Sequence, residues 1–324
     1  MNSNMQESAV QTSSIIYGVH FATKKNLSMV STSVANETAK KICNPAGKPL
    51  HTSEVENIAH TTPEISLISL DIETGKQLSH SPISVNTVEN KNTRTPDVHK
   101  AFHSNPYERL TSLTHLSNGT FIITCVARTQ NGDFNRLIFF NRDKSSRTHK
   151  ALKVWGFQQD NSTLESLLET QDGKLLGIVG LRGGVPPFEL ATIDYETGKV
   201  TYDALLPDLQ PDRRYSNLAQ SPVNRKIYAT SMGMGYSVHL VQLDMENNSV
   251  MTGKALIIKL SELHFNNKPL ESDLLSLAFS PLGKLYAVAN LNHEPMNSLF
   301  TVDIDTGEMT LVRKLAVIKI AFAD

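Results

Sequence analysis

Asp303 begins the stretch Asp-Ile-Asp-Thr-Gly, which has the acidic spacing at the start of a calcium-binding loop. Such a loop binds the ion through oxygen ligands at alternate positions and a bidentate glutamate at its twelfth position. Counted from Asp303, the twelfth position is Lys314, and the similar motifs at Asp71 and Asp194 have proline and leucine there. None of these can ligate calcium. The motif therefore predicts a hairpin turn, in which glycine supplies a positive φ and the aspartate accepts backbone N–H groups.

Arginine side chains could carry out a second kind of chemistry, the binding of anions. A guanidinium group pairs with a carboxylate or phosphate through two parallel hydrogen bonds, so several arginines at one place form an anion site. Loops beside short apolar segments carry the candidate ligand-binding residues Arg109, Arg128, Arg182, Arg213, Arg214, Tyr236 and His293. The alternative is that the arginines are solvated, or paired with nearby acids such as Glu108 and Asp212, at little gain in stability.

Other catalytic patterns are weak in this sequence. A serine nucleophile on a strand-to-helix turn needs Gly-x-Ser-x-Gly, which does not occur. His99 and His103 have the spacing of zinc ligands on one helix face, but a third ligand is not evident, so a polar surface helix is the simpler interpretation. The loop 183–187, Gly-Gly-Val-Pro-Pro, has an unusual path that indicates either a shaped pocket or only a wide turn.

The elements that must position these residues are indicated by the aspartate turn, because it recurs along the chain. Its six anchors are His20, Asp71, Asn141, Asp194, Asp244 and Asp303. Upstream of most anchors lies a second turn signal such as Asn-Gly or Asp-Gly, and short β-rich pieces lie between the two turns. A repeat of this size with four short strands per unit is typical of a β-propeller. We therefore expect one all-β domain with six blades, and five or seven blades as the fallback.

The first strand of each unit shows a further regularity. Leucine recurs six residues before the glycine of the Asn-Gly or Asp-Gly type of turn signal, or before Asn224 where that glycine is missing. The four leucines are Leu113, Leu167, Leu218 and Leu277. A small polar residue comes directly before each leucine, at Ser112, Ser166, Asn217 and Ser276. We interpret this segment as the innermost strand of each blade, with leucine packed between blades and the small polar residue on the crowded channel side.

The two chain ends are expected to complete one blade together. Residues 320–322, Ile-Ala-Phe, match the Leu-Ala-Phe of an innermost strand, but the chain stops two residues later. The C-terminal strand would then join the blade begun near the N-terminus and remove an exposed sheet edge. The expected organisation is a loose tail at 1–13, a propeller over 14–324 and a polar surface excursion at about 86–108.

The units resemble the blades of six- to eight-bladed propellers of the NHL and quinoprotein-like type. The resemblance rests on an inner strand followed by x-Gly, Leu-Tyr-x-Val and a strand ending in Ile-Asp-x-x-Thr-Gly, and it covers most of the chain. It implies a propeller whose ligand lies at one mouth of the central channel. Propeller lactonases hold calcium there through Glu, Asn and Asp side chains, which implies Glu165, Asn217 and Asp273 as the matching metal ligands.

Composition narrows the function. A net charge of −1 makes nucleic acid an unexpected partner, and two distant cysteines indicate a reducing compartment. Since neither a signal peptide nor a membrane-spanning run is evident, we expect a cytoplasmic protein without membrane contact. The favoured function is a non-enzymatic propeller, without a cofactor, that binds a small molecule or a protein at one channel mouth. The alternative is a lactonase-like hydrolase or lyase assisted by Ca²⁺ in the central channel.

Overall fold

The computed structural model describes residues 15–22, 64–83, 109–129, 132–141, 149–182, 184–207, 214–232, 237–249, 254–272, 274–291 and 294–323. All named elements in these ranges are β-strands. Within the same ranges, no helix is long and apolar enough to cross a membrane. The expected tail at 1–13 and the surface excursion at about 86–108 lie outside the described residues, so the division of the chain stays a prediction.

The described strands form five antiparallel blades of four strands each. Blade 1 has, from the centre outward, β22 (Val317–Phe322), β1 (Ile15–Ala22), β2 (Glu64–Asp71) and β3 (Gln77–Pro82). Blade 2 has β4 (Arg109–His115), β5 (Thr120–Thr129), β6 (Gly132–Asn141) and β7 (Lys150–Lys153). Blade 3 has β8 (Ser162–Glu169), β9 (Leu175–Leu181), β10 (Val185–Ile193) and β11 (Val200–Leu205).

Blade 4 has β12 (Arg214–Gln220), β13 (Ile227–Met232), β14 (Val238–Ser249) and β15 (Lys254–Glu262). Blade 5 has β18 (Leu274–Phe279), β19 (Leu285–Ala289), β20 (Asn297–Val302) and β21 (Met309–Leu315). Between blades 4 and 5 lies a small hairpin of β16 (His264–Phe265) and β17 (Lys268–Pro269).

Five apolar clusters hold the blades together, and each cluster draws side chains from two adjacent blades. Leu113 of blade 2 shares a cluster with Tyr17 of blade 1, and Leu277 of blade 5 shares one with Tyr228 of blade 4. The other two internal interfaces have the same construction. The four leucines predicted to pack between blades are all buried: Leu113, Leu167, Leu218 and Leu277.

The ring closes where the two chain ends meet. Strand β22 pairs antiparallel with β1, so that Ile16 lies opposite Phe322. Ile320 of β22 shares the fifth cluster with Val288 of blade 5, which joins blade 1 to blade 5. The predicted propeller architecture and its closure by the C-terminal strand are confirmed.

The preferred count of six blades is wrong, and the fallback count of five is correct for the described residues. His20 was assigned to one unit and Asp71 to the next, but His20 lies on β1 and Asp71 ends β2. These two strands pair with each other in a single blade. Asn141 ends the third strand of blade 2, and Asp194 and Asp303 directly follow the third strands of blades 3 and 5. Asp244 lies within the third strand of blade 4. One blade was therefore counted twice, because a turn motif does not show which strands pair.

The aspartate motifs are turns, as predicted. In the last copy, Asp303 Oδ1 accepts the backbone N–H of Thr306 at 2.8 Å and its hydroxyl at 2.9 Å. Gly307 has a φ of 79°, and its N–H donates to the Asp303 carbonyl at 2.9 Å. The hydrogen bonds from Thr306 lower the pKa of the Asp303 carboxyl. The copies at Asp71 and Asp194 have the same bonds from their threonine N–H groups.

Candidate functional site

The innermost strands of the five blades contact one another around the central channel. They all begin at one end of it. We call this end the strand-start mouth, defined by the first residues Arg109, Ser162, Arg214, Leu274 and Val317. The opposite end is the strand-end mouth, defined by the last residues His115, Glu169, Gln220, Phe279 and Phe322.

Each innermost strand contains one extra residue that interrupts its pairing with the second strand of the blade. In four strands this residue is Thr111, Glu165, Leu275 or Ile318. In β12 the interruption covers Asn217 and Leu218, which face the single residue Ala229. A bulge of this kind bends the strand and changes the direction in which side chains point. In β8 the extra residue is Glu165 itself, and in β12 the interrupted segment contains Asn217, which has a φ of 56°. The bulges therefore occur at the level of the channel where polar side chains gather.

The predicted small polar residues connect adjacent innermost strands by hydrogen bonds. Ser112 Oγ donates to the Leu167 carbonyl at 2.9 Å. Asn217 Nδ2 donates to the Leu274 carbonyl, also at 2.9 Å. Ser166 and Ser276 instead accept a backbone N–H from the next blade, at 2.8 Å and 3.0 Å. These side chains are buried, so the bonds satisfy polar groups that water cannot reach.

Lys319 occupies the same position in the fifth innermost strand, where the other four blades have serine or asparagine. The alignment of Ile320 with Leu277 puts Lys319 level with Ser276. Its Nζ donates to the Leu275 carbonyl of blade 5. The side chain is partly accessible to solvent, yet protein surrounds its ammonium group. A channel explains both observations, because a group inside one is surrounded by protein but is reached from the mouth.

Glu165 is the carboxylate at this level of the channel in the described residues. Arg109 of blade 2 binds both of its oxygens, with Nη1 at 2.9 Å from Oε2 and Nη2 close to Oε1. Thr163 Oγ1 donates to Oε1 at 2.5 Å. The Glu165 side chain is 4% exposed and that of Arg109 is 43% exposed, so the pair extends from the interior to the mouth.

Two more cations lie within electrostatic range of this pair. Burial lowers the pKa of Arg214, the attraction of Glu165 opposes that shift, and the repulsion of Arg109 adds to it. Burial and the repulsion of Arg109 lower the pKa of Lys319 to about 7, against the attraction of Glu165 and with further repulsion from Arg214. Three cationic side chains from blades 1, 2 and 4 are thus arranged around one carboxylate from blade 3.

Gly184 forms a wall of this site. It has a φ of 68°, and a Cβ atom there would lie 3.0 Å from Glu165 Oε2. Its N–H donates to the Leu181 carbonyl at 2.9 Å, which holds the turn between β9 and β10 against the carboxylate. The glycine-rich loop singled out in the sequence therefore contacts the site through Gly184, whereas Gly183 lies outside the described residues.

The structure describes part of the predicted ligand-binding set. Arg109 and Arg214 come together at the strand-start mouth. Arg182 is exposed in the turn after β9, at the same mouth, because Leu181 pairs with Ser162. Arg128 lies on β5 beyond the residue paired with Arg109. The members outside the described residues are Arg213, Tyr236 and His293.

Sequence reasoning missed Lys319, although a signal was present. The match of Ile320 to Leu277 had already aligned the C-terminal strand with an innermost strand. The preceding position, small and polar in four units, is lysine in this one. A charged residue at a position that is otherwise small marks an exception to the repeat.

The predicted calcium ligands stay untested as a set, because Asp273 lies outside the described residues. The two described members are engaged with protein groups. Both Glu165 oxygens are bound by Arg109, and the Asn217 amide donates to the Leu274 carbonyl. Two further cations near Glu165 would repel a divalent ion. These residues do not fit a calcium site in this arrangement, and no group of three metal-ligating side chains occurs among the described residues.

A cavity of about 310 Å³ lies at the strand-end mouth. The ends of all five innermost strands line it, with Phe279 and Phe322 as its largest apolar side chains. Two of its polar side chains accept backbone N–H groups. Glu169 Oε2 accepts the Ser117 N–H at 2.6 Å, and Gln220 Oε1 accepts the Gln171 N–H at 2.7 Å.

Among known proteins, the chain is similar only to solved structures. No family model matches the chain, and no curated protein matches it. A protein of unknown function from Dyadobacter fermentans is 10% identical over 80% of this chain and 71% of its own, with a TM-score of 0.46. A protein provisionally assigned as a 6-phosphogluconolactonase from Bacteroides uniformis is 14% identical over 82% of each chain, with a TM-score of 0.44. The calcium-binding protein regucalcin from Agrobacterium tumefaciens is 11% identical over 81% of this chain and 74% of its own, with a TM-score of 0.39.

Proposed function

We propose that this protein is a non-enzymatic binding module that takes a small anion, such as a carboxylate or a phosphate, at the strand-start mouth. The observation that carries the proposal is the cationic excess there. Arg109, Arg214 and Lys319 come from three different blades and share Glu165 as their common carboxylate. Burial lowers the pKa of Lys319 most, and an anion between the three cations would offset the repulsion from Arg109 and Arg214 that lowers it further.

The surroundings of the cluster suit such a ligand. Arg109 is partly exposed, so its guanidinium can exchange part of its pairing with Glu165 for an incoming carboxylate or phosphate. Arg214 and Lys319 are more buried than Arg109, and charge–charge interactions are stronger in such surroundings than in water. The cluster lies among five innermost strands that contact one another, which favours a small molecule over a macromolecular surface.

A titration of the full chain with small acids tests the proposal. Phosphate, acetate and succinate are added one at a time, and heat and melting temperature are recorded, since a ligand of the folded state raises the melting temperature. Loss of one charge-assisted contact in Arg214→Gln should weaken binding by about tenfold. The control Lys174→Gln removes an exposed positive charge near the strand-end mouth and should leave binding unchanged.

Absence of heat and of any melting shift with every acid would contradict the anion-binding proposal. It would leave a protein partner at the mouth as the favoured function. Titration of EDTA-treated protein with calcium tests the alternative of an ion-assisted hydrolase or lyase. A rise in melting temperature with calcium that Glu165→Gln removes would favour that alternative.

A further inference from the structure

Lys319 stands apart from the residues at its level of the channel. In four blades, a small polar side chain makes the hydrogen bond between adjacent innermost strands. These residues are Ser112, Ser166, Asn217 and Ser276. The fifth blade uses a long cationic side chain for the tie to Leu275. A lysine is a costly way to make one hydrogen bond to a carbonyl, because burial and two nearby arginines oppose its charge. Its amine is therefore a candidate for chemistry.

The same surroundings favour the neutral amine, which is the nucleophilic form. Desolvation and neighbouring cations are the two means by which proteins activate lysine toward carbonyl compounds. With a pKa of about 7, Lys319 is about half neutral at pH 7. An ordinary lysine is neutral in only roughly one molecule in 2,500 at that pH.

We propose that Lys319 captures a small 2-oxo acid as an imine at the strand-start mouth, with Arg109 and Arg214 binding the carboxylate of that acid. The inference rests on the proposed function and narrows its ligand class from anions in general to acids that carry a carbonyl group beside the carboxylate. Arg109 holds Glu165 through two contacts, and both arginines lie within electrostatic range of Lys319. A small acid bound by the two arginines would therefore lie in the same part of the channel as Nζ, which donates to the Leu275 carbonyl.

The step balances without an oxidant or reductant. The Nζ lone pair of neutral Lys319 attacks the carbonyl carbon and forms a C–N bond, and a proton passes from nitrogen to the former carbonyl oxygen. The resulting carbinolamine loses one molecule of water and becomes the imine. Water addition reverses the sequence, so capture is reversible and needs no turnover.

Opposite pH dependences separate capture from simple anion binding. The charged groups that act on Lys319 are Arg109 of β4, Glu165 of β8 and Arg214 of β12. Strands β18 and β19 have no charged residue, and His20 of β1 interacts with His80. Imine formation should increase as pH rises from 6 to 8, because the neutral amine becomes more abundant. Binding of an acid without a carbonyl should weaken over the same range, because a positive charge is lost.

Reductive trapping of the full chain tests the inference. The protein is incubated with pyruvate and sodium cyanoborohydride, and the intact mass and the tryptic peptides are measured. We expect one adduct on Lys319. Since trypsin does not cleave after the modified lysine, the C-terminal fragment should be the peptide 315–324. Lys319→Met should lose the adduct, whereas Lys174→Met, which replaces an exposed lysine, should keep it.

Lactate separates failure of this inference from failure of the proposed function, because it has a hydroxyl in place of the carbonyl. If lactate and pyruvate bind equally and no adduct forms on Lys319, the covalent inference is wrong and the anion site stands. If neither acid binds, the proposed anion-binding function is wrong as well. Adducts scattered over surface lysines would also overturn the inference, since they would show ordinary amine reactivity.

Discussion

The two mouths of the channel are built from the same five strands, yet they use polar side chains in opposite ways. At the strand-end mouth, Glu169 and Gln220 accept backbone N–H groups of the neighbouring blade. Each of these side chains fixes a turn, as the exposed aspartates do at the outer turns. At the strand-start mouth, charged side chains meet one another, with Arg109 on Glu165 and Arg214 and Lys319 within range.

The polar side chains of the strand-end mouth stabilise the folded state, whereas Lys319 near the strand-start mouth destabilises it. A carboxylate that accepts backbone N–H groups lowers the free energy of the folded state. A lysine whose pKa falls through burial and like charges raises that free energy when it is protonated. Strongly perturbed groups in a cleft are typical of functional sites. The comparison therefore indicates a structural role for the polar side chains of the strand-end mouth and supports the proposed binding of anions at the strand-start mouth.

The largest expected effect tests whether both mouths depend on the closed ring. Deletion of residues 316–324 removes β22, the innermost strand of blade 1, and exposes apolar side chains of blades 1 and 5. We expect loss of the cooperative thermal transition. Deletion of residues 1–12 ends before β1 and should leave the transition nearly unchanged. Circular dichroism melts of the two variants decide the matter, and a cooperative melt for the C-terminal deletion would contradict the closure.

The next largest effect is a difference in stability between variants of Glu165 and Glu169, one carboxylate at each mouth. Glu165→Gln leaves three cations without their shared carboxylate, so we expect a loss of about 2–3 kcal/mol in the free energy of unfolding. This is below the usual cost for a fully buried pair, because Arg109 is 43% exposed. Glu169→Gln should cost less than about 1 kcal/mol, since an amide oxygen can still accept the Ser117 N–H. Urea unfolding measures the free energy of unfolding of both variants. Equal losses of stability would contradict the proposed difference between the two mouths.

Glu165→Gln should also tighten the binding of acids, because it removes the negative charge that competes with the ligand. Calorimetric titration of the variant with phosphate checks this expectation. Weaker binding in Glu165→Gln would mean that the carboxylate takes part in recognition.

The third prediction concerns pH. Lys319 has a pKa of about 7 in the folded protein, well below the unfolded value near 10.4. Between these values the unfolded chain binds a proton that the folded protein lacks, so wild-type stability rises with pH; below pH 7 the penalty is fully present. Lys319→Met removes this dependence. Its stability relative to wild type should therefore fall by about 2 kcal/mol from pH 7 to pH 9.

Urea unfolding at the two pH values measures that difference, with Lys174→Met as the control for loss of one positive charge. A stability difference for Lys319→Met that stays constant with pH would show that the amine is ordinary.

The smallest effect compares two glycines. Gly184 and Gly173 both have positive φ, at 68° and 80°, so replacement by alanine strains either backbone by about 1 kcal/mol. A Cβ at Gly173 meets nothing within 4 Å, whereas a Cβ at Gly184 approaches Glu165. We expect Gly184→Ala to cost about 0.5 kcal/mol more and to change acid binding a few-fold. Thermal melts and titration of both variants test this, and identical behaviour would exclude Gly184 from the wall of the site.

Much of the fold could be predicted from sequence because its signals are local. The Asp303 turn needs an aspartate, a threonine and a glycine at fixed spacing, and the structure has those hydrogen bonds. The inter-blade leucines recur at one distance from a turn, and they are buried. The number of blades could not be read in the same way. It depends on the pairing of β1 with β2, which are separated by a long segment of chain.

The sequence by itself determined the strand-and-turn repeat, the closure by the C-terminal strand and the presence of arginines beside the innermost strands. Only the tertiary structure decided which charges meet. Arg109 and Glu165 are 56 residues apart, and Lys319 lies at the far end of the chain. Their interaction depends on distance and burial, because the energy of a charge is set by its neighbours and by the exclusion of water. The identity of a residue gives neither its distance from other charges nor its burial.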